Sequence, residues 1–326
     1  MELRWDRVLG RWVIVADHRG IRPLTEKKGC PFCPGSEEVQ DTNWDVLVLK
    51  NKFAALKPDP PPPPELCDKS FKCKPAIGDC EVVLFHPRHD LTLADMSVSH
   101  IQKIIRVWIQ RTLELGSSDF IKYVYIFENK GKEVGTSLEH PHCQIYALPF
   151  VPPVVSREIS NSRRYFLNRG RCLFCDMLDS EESFEKRVIS RNEFFTTFLP
   201  FAPSWPYGVV IYPRRHLLDL PHLGEDEVKY LASSLKDILL RFDNLFKFKF
   251  PYVMVVHQSP SKGNYPYYHL HLEFYPPYRE RNKIKFFAGI ELGGGTPTYD
   301  YKPEDKAMEL RSVRGYEHER EVDVQT

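Results

Sequence analysis

The chain has 326 residues, 42% apolar and 27% charged, with a net charge of +1. That is enough apolar chain for one large domain or two ordinary ones, and the near-neutral balance argues against a protein that coats nucleic acid. The start, Met1 to Arg7, alternates charged with apolar residues and offers no signal-peptide core. No apolar run approaches the roughly 20 residues that span a bilayer, so a soluble cytoplasmic protein without a membrane partner is expected.

In chain order, the first chemistry lies in Gly29-Cys30-Pro31-Phe32-Cys33-Pro34-Gly35. It is one of two Cys-x-x-Cys pairs, the other being Cys172/Cys175, that together use four of the eight cysteines. A Gly/Pro-punctuated loop suits a metal better than the helix-opening redox pair of a thioredoxin-like unit. Cys67, Cys73 and Cys80 lack such spacing and read as plain thiols. Pro60 to Pro64 reads as a stiff surface excursion, not a linker.

A strand is then predicted from Cys80 towards His89. An amphipathic helix follows, with Ile101, Ile104, Ile105, Trp108, Ile109 and Leu113 on one face, then a strand over 123–127, then His140-Pro141-His142-Cys143-Gln144. After Cys172/Cys175 the same order returns. A strand over 208–212 leads to His216, and a helix carries Val228, Leu231, Leu235, Ile238, Leu239 and Phe242 inward. A strand over 252–256 then precedes His269-Leu270-His271-Leu272-Glu273. His140 follows His89 by 51 residues and His269 follows His216 by 53. Order and spacing together indicate an internal duplication of an α+β unit, divided as residues 1–155, which carry the candidate nucleophile, and 156–326. The tail after Pro303 reads as a solvated helix or an arm reaching a partner.

The repeat proposes ligands. Two thiolates and two distant imidazoles make a closed tetrahedral set, which suits zinc: Cys30, Cys33, His89 and His140, and by symmetry Cys172, Cys175, His216 and His269, for two ions per chain. His142 is left over. Two residues beyond His140 on a strand, it projects to the same face. A neutral imidazole is a competent nucleophile near pH 7, and Gln144, on that face too, can hydrogen-bond a phosphate oxygen without competing as a base. The alternative is that His142 is an ordinary core histidine.

Phe127-Glu128-Asn129-Lys130-Gly131, Ser137 and His140 to Ile145 resemble the active-site signature of the galactose-1-phosphate uridylyltransferases, the transferase branch of the histidine-triad superfamily. Arg11 to Val15 with Arg19 and Arg22, Asn51 to Leu56, Pro87-Arg88-His89, Arg241 to Phe246, Phe274 to Pro277 and Lys285-Phe286 extend the match over nearly the whole chain. The resemblance implies duplicated histidine-triad-like units, each an antiparallel sheet with packed helices. It also implies a ping-pong enzyme that moves UMP between UDP-glucose or UDP-galactose and hexose 1-phosphates through a uridylyl-histidine at His142. Gln144 would hold a phosphoryl oxygen. Arg19, Ser137 and Asn129 would contact phosphates, with Arg22 beside them, and Asn51 would lie near the uridine. Lys285 and Glu291 would meet the hexose phosphate, and the protein would be a homodimer.

Two departures accompany the match. Cys143 stands where many relatives carry glycine. Many relatives also lack a second Cys-x-x-Cys and build another second metal site, whose positions here would be Glu158, His257, His271 and Glu273, with iron as a possible occupant. Two other function classes stay open: a phosphorylase or hydrolase that discharges the same histidine to phosphate or water, and a non-catalytic zinc module.

Overall fold

A computed structural model describes residues 1–21, 29–64 and 71–316. Near the N-terminus β1 (Glu2–Asp6) pairs with β2 (Arg11–Val15) and with β4 (Cys73–Pro75) in a small antiparallel sheet. The body of the molecule is one antiparallel sheet of nine strands. Its strands from the first half are β3 (Leu47–Lys50), β5 (Asp79–Leu84), β6 (Tyr123–Lys130) and β7 (His142–Leu148). Those from the second half are β8 (Val188–Arg191), β9 (Phe195–Phe198), β10 (Val210–Pro213), β11 (Tyr252–His257) and β12 (His271–Tyr275). Their order is β3-β5-β7-β6-β11-β12-β10-β9-β8.

The order itself displays the duplication. β3-β5-β7-β6 in one half answers β9-β10-β12-β11 in the other, and the halves join where β6 meets β11 antiparallel, Val256 opposite Ile126. The two halves therefore share one hydrogen-bonded sheet. Four further elements lie outside it: β13 (Tyr278–Glu280) with β14 (Lys283–Ile284), α5 (Ile290–Gly293) and α6 (Pro303–Ser312).

One face of the sheet is covered by α1 (Val98–Ser117) and α4 (Glu225–Phe246), the repeated helices. Both start cleanly: the Ser97 hydroxyl accepts from the His100 amide at 3.1 Å, and the Glu227 carboxylate accepts from the Gly224 amide at 2.7 Å. Ile101, Ile104, Ile105 and Trp108 from α1 and all six expected residues of α4 are buried in one cluster. Leu113 departs from the expectation and is exposed, because it lies off the buried stripe of α1. The other face carries α2 (Pro153–Arg169) and α3 (Leu173–Phe184), whose Val155, Phe174 and Leu178 pack on Tyr123, Tyr212 and Tyr268.

Some boundaries differ from the sequence reading. β5 stops at Leu84, so His89 lies in a turn beyond the strand. The helix after Pro303 is not solvated all round: Ala307 and Leu310 are fully buried, and Arg187 pairs with Glu304 at 2.5 Å. Cys80 is a buried free thiol, as expected, whereas Cys73 is disulfide-bonded; Cys67 lies outside the described residues. Among the described residues no helix is long and apolar enough to cross a membrane.

Gly78 marks where a loop passes close beneath β7. A Cβ there would sit 2.5 Å from the Ala147 carbonyl oxygen and 2.9 Å from Leu56 Cβ, and backbone cannot yield as a flexible side chain can. Gly78→Ala should therefore cost about 1–3 kcal/mol, read as a fall of several degrees in the thermal midpoint.

Candidate active site and metal centres

The turn at Cys30, closed by the Cys33 amide to the Cys30 carbonyl, brings both thiols to His89 and His140. Cys33 Sγ lies 3.7 Å from His89 Nδ1 and 3.8 Å from His140 Nδ1. Zinc bonded tetrahedrally to sulfur and nitrogen would set those edges at about 3.6 Å, so the donors stand at coordination spacing. The second half repeats the arrangement: Cys175 Sγ is 3.4 Å from His216 Nδ1 and 3.5 Å from His269 Nδ1, with Cys172 completing the group.

Backbone carbonyls fix the rings in both clusters. His140 Nε2 lies 2.9 Å from the His86 carbonyl and His269 Nε2 lies 3.1 Å from the Pro213 carbonyl. A carbonyl can only accept, so Nε2 bears the proton and Nδ1 turns its lone pair to the thiols. Burial pushes His140 down to about 4, which keeps the ring neutral and able to ligate.

A third group also forms. Glu158, His257, His271 and Glu273 present donor atoms within 4.8 Å of one another. His257 Nδ1 is 3.0 Å from both Glu158 oxygens, and His271 Nε2 is 3.3 Å from Glu273 Oε1. Burial raises the Glu273 carboxyl, but His257 and His271 outweigh it and hold the group at about 2. On sequence alone this set and the second Cys/His set are alternatives. The fold builds both, because His269 and His271 divide between them.

His142 opens β7, and its Nδ1 lies 2.7 Å from the His140 carbonyl. By the same logic Nδ1 is protonated and the lone pair sits on Nε2. His140 itself precedes the strand. Both rings still share a side, since Phe32 meets each edge-on, at 6.3 and 5.4 Å. Along that face Gln144 Oε1 accepts from Asn51 Nδ2 at 3.2 Å, and Tyr146 Oη accepts from Arg19 Nη1 at 3.0 Å. Tyr146 escaped the sequence reading, although the period of two that links His142 to Gln144 reaches it next.

His142 and Asn129 line a cavity of about 500 Å³ together with Lys130, Gly131, Thr136 and Lys249. Gly131, at φ +98°, lets the loop turn against Pro251, where a Cβ would come within 2.4 Å of the proline Cβ. Ser137 follows Thr136 in that loop. Lys285 and Glu291 pair with each other at 2.7 Å. Lys285 lines a neighbouring cavity of about 380 Å³, and the two cavities share Glu133. Arg22 lies outside the described residues.

Residues 2–152 match the N-terminal domain, and 158–323 the C-terminal domain, of galactose-1-phosphate uridyl transferase. The chain belongs to this family. Galactose-1-phosphate uridylyltransferase of Thermotoga maritima is 38% identical, with 96% of this chain and 98% of that one covered. The Haemophilus influenzae protein of the same name is 33% identical, covering 95% and 93%. Among solved structures, a uridylyltransferase superposes with a TM-score of 0.89 at 38% identity over 95% of this chain and 97% of that one. An Arabidopsis thaliana ADP-glucose phosphorylase with bound ADP-glucose reaches 0.75 at 28% identity, covering 96% and 99%.

In this member of the family the site's cavity also touches a strained charge. Glu128 is buried, with the Tyr252 hydroxyl donating to it at 3.0 Å, and burial pushes its carboxyl up to about 7. Between the ordinary 4.5 and 7 the folded chain holds a proton there that the unfolded chain has released, so stability falls as pH rises through that window. Glu128→Gln should remove that fall, a difference on the order of 3 kcal/mol by pH 8, seen by comparing denaturation midpoints of the two proteins from pH 5 to pH 8.

Proposed function

We propose that the protein is a UDP-glucose–hexose-1-phosphate uridylyltransferase working through a covalent uridylyl-histidine. The observation that carries this is the bond from His142 Nδ1 to the His140 carbonyl, which leaves the Nε2 lone pair on the face bearing Gln144 and Asn51. In the first half-reaction Nε2 forms a bond to the uridine-side phosphorus of UDP-glucose. The bond from that phosphorus to the bridging oxygen breaks, and glucose 1-phosphate leaves. In the second, a phosphate oxygen of galactose 1-phosphate attacks the same phosphorus, the N–P bond breaks, and UDP-galactose departs.

Charge builds on phosphate oxygens in both steps, so fixed donors and cations lower the barrier. Gln144 is held by Asn51 and Arg19 by Tyr146, which orients both ahead of binding. Asn129 and Ser137 complete the phosphate contacts, with Arg22 beside them. Lys285, which lines the adjoining cavity, and Glu291, paired with it, receive the hexose phosphate.

On this reading the halves 1–155 and 156–326 are one duplicated unit, and the enzyme is a cytoplasmic homodimer acting on UDP-sugars and hexose 1-phosphates. Zinc in the two Cys/His clusters supplies cross-links that stabilise the fold, since four protein donors leave no open position. Iron suits the Glu158, His257 and His271 group, where carboxylates and imidazoles meet. A second reading, a phosphorylase using the same histidine, is favoured by the likeness to the ADP-glucose phosphorylase.

Incubation with UDP-glucose labelled in its uridine-side phosphate separates these readings. We expect label on the protein at His142, chased by galactose 1-phosphate. A chase by inorganic phosphate alone supports the phosphorylase, and no label rejects both. His142→Gly should take no label yet keep its metal and thermal midpoint, because His142 is outside all three donor groups. Elemental analysis of the metal-loaded protein should find about two zinc ions per chain, and Cys172→Ser should lose one of them along with several degrees of thermal stability.

A further inference from the structure

The face of β7 turned away from His142 carries Cys143, Ile145 and Ala147, all buried in the cluster beneath α1. Trp108, fully buried in the middle of α1, donates its indole N–H to Cys143 Sγ at 3.2 Å. Its ring also meets Phe85 edge-on at 6.4 Å, and the Phe85 amide donates to the Pro141 carbonyl at 2.9 Å. The residues before and after His142 are thus both tied to one side chain of α1, directly through sulfur and indirectly through Phe85.

We propose that Cys143 is a positioning residue for the reaction: by accepting the Trp108 indole N–H it sets the backbone of β7 at His142 and so the approach of Nε2 to phosphorus. This rests on His142 being the nucleophile, as inferred above. With Trp108 buried opposite, the position asks for a residue that is small, able to accept a hydrogen bond, and tolerant of an apolar interior. A buried thiol meets all three, whereas a side chain without an acceptor orphans the indole N–H inside the core. Attack in line tolerates little displacement, since a shift near 1 Å of a reacting group costs on the order of a hundredfold in rate. Gln144 follows Cys143 directly, so the same anchor also governs the direction of its amide.

The test measures the single-turnover rate of label transfer from UDP-glucose to His142 in the full-length, metal-loaded protein, beside KM and the ¹⁵N–¹H resonance of the Trp108 indole. Cys143→Ala should slow label transfer roughly tenfold to a hundredfold, leave KM within about twofold, and shift the indole resonance. Cys143→Ser, which restores an acceptor, should recover most of the rate. Trp108→Phe, which removes the donor, should reproduce the Cys143→Ala loss, and the double variant should be no slower than the worse single one. The proposal is overturned if Cys143→Ala labels at the parental rate although the indole resonance has moved, or if Cys143→Ser is as slow as Cys143→Ala. A parent that takes no label at His142 overturns the underlying reading as well. A lower thermal midpoint with an unchanged labelling rate marks Cys143 as packing alone and also overturns it.

Discussion

Everything at the site hangs on His140, which serves three neighbours at once. Its Nε2 donates to the His86 carbonyl, its Nδ1 faces Cys33, and its own carbonyl accepts from His142 Nδ1. The first bond sets the tautomer that lets the ring ligate, and the last sets the tautomer that places a lone pair on His142 Nε2. On the proposed reading, a metal cross-link at Cys30, Cys33 and His89 would therefore fix the backbone that prepares His142. On that reading metal and chemistry would be separate functions joined by one carbonyl, with two buried histidines on either side of Pro141 doing different work.

The second half runs the same frame to a different end. His271 Nδ1 lies 2.9 Å from the His269 carbonyl, repeating the His142 arrangement. Yet where Gln144 stands in the first half, Glu273 stands in the second, and Glu158 and His257 close in beside it. His271 packs with tilted rings among Phe174, Tyr212 and Tyr268, and its Nε2 meets the Glu273 carboxylate. An imidazole enclosed among carboxylates suits a cation and disfavours a phosphate. The backbone arrangement is thus repeated in both halves, and side-chain charge and access distinguish the surroundings of His142 from those of His271.

The sheet makes this division possible. Because the halves join through β6 and β11 into one antiparallel surface, α1 and α4 seal one face with apolar packing, while the other, covered in part by α2 and α3, also carries the polar side chains of the candidate site. Alternation along β7 puts His142, Gln144 and Tyr146 on the candidate-site face and Cys143, Ile145 and Ala147 towards the core. Rigidity at the back is the condition for orientation at the front.

Much of this was legible in the chain alone. The Cys-x-x-Cys spacing, the period of two around His140 to Gln144, and the 3.6-residue apolar stripes of α1 and α4 are local patterns, and a duplicated order of such patterns implies a duplicated α+β unit. Residue identity along a strand also decides which side chains share a face. The rest depended on residues distant in sequence meeting in space. In the chain alone the Glu158 group and the second Cys/His group are rivals, since both draw on the same His-x-His segment. Only the folded strand turns His269 and His271 to different neighbours. Arg19 finds Tyr146, Trp108 finds Cys143, and the two halves fuse into one sheet for the same reason: these contacts are long-range, and no local pattern encodes which partners packing will bring within hydrogen-bonding distance.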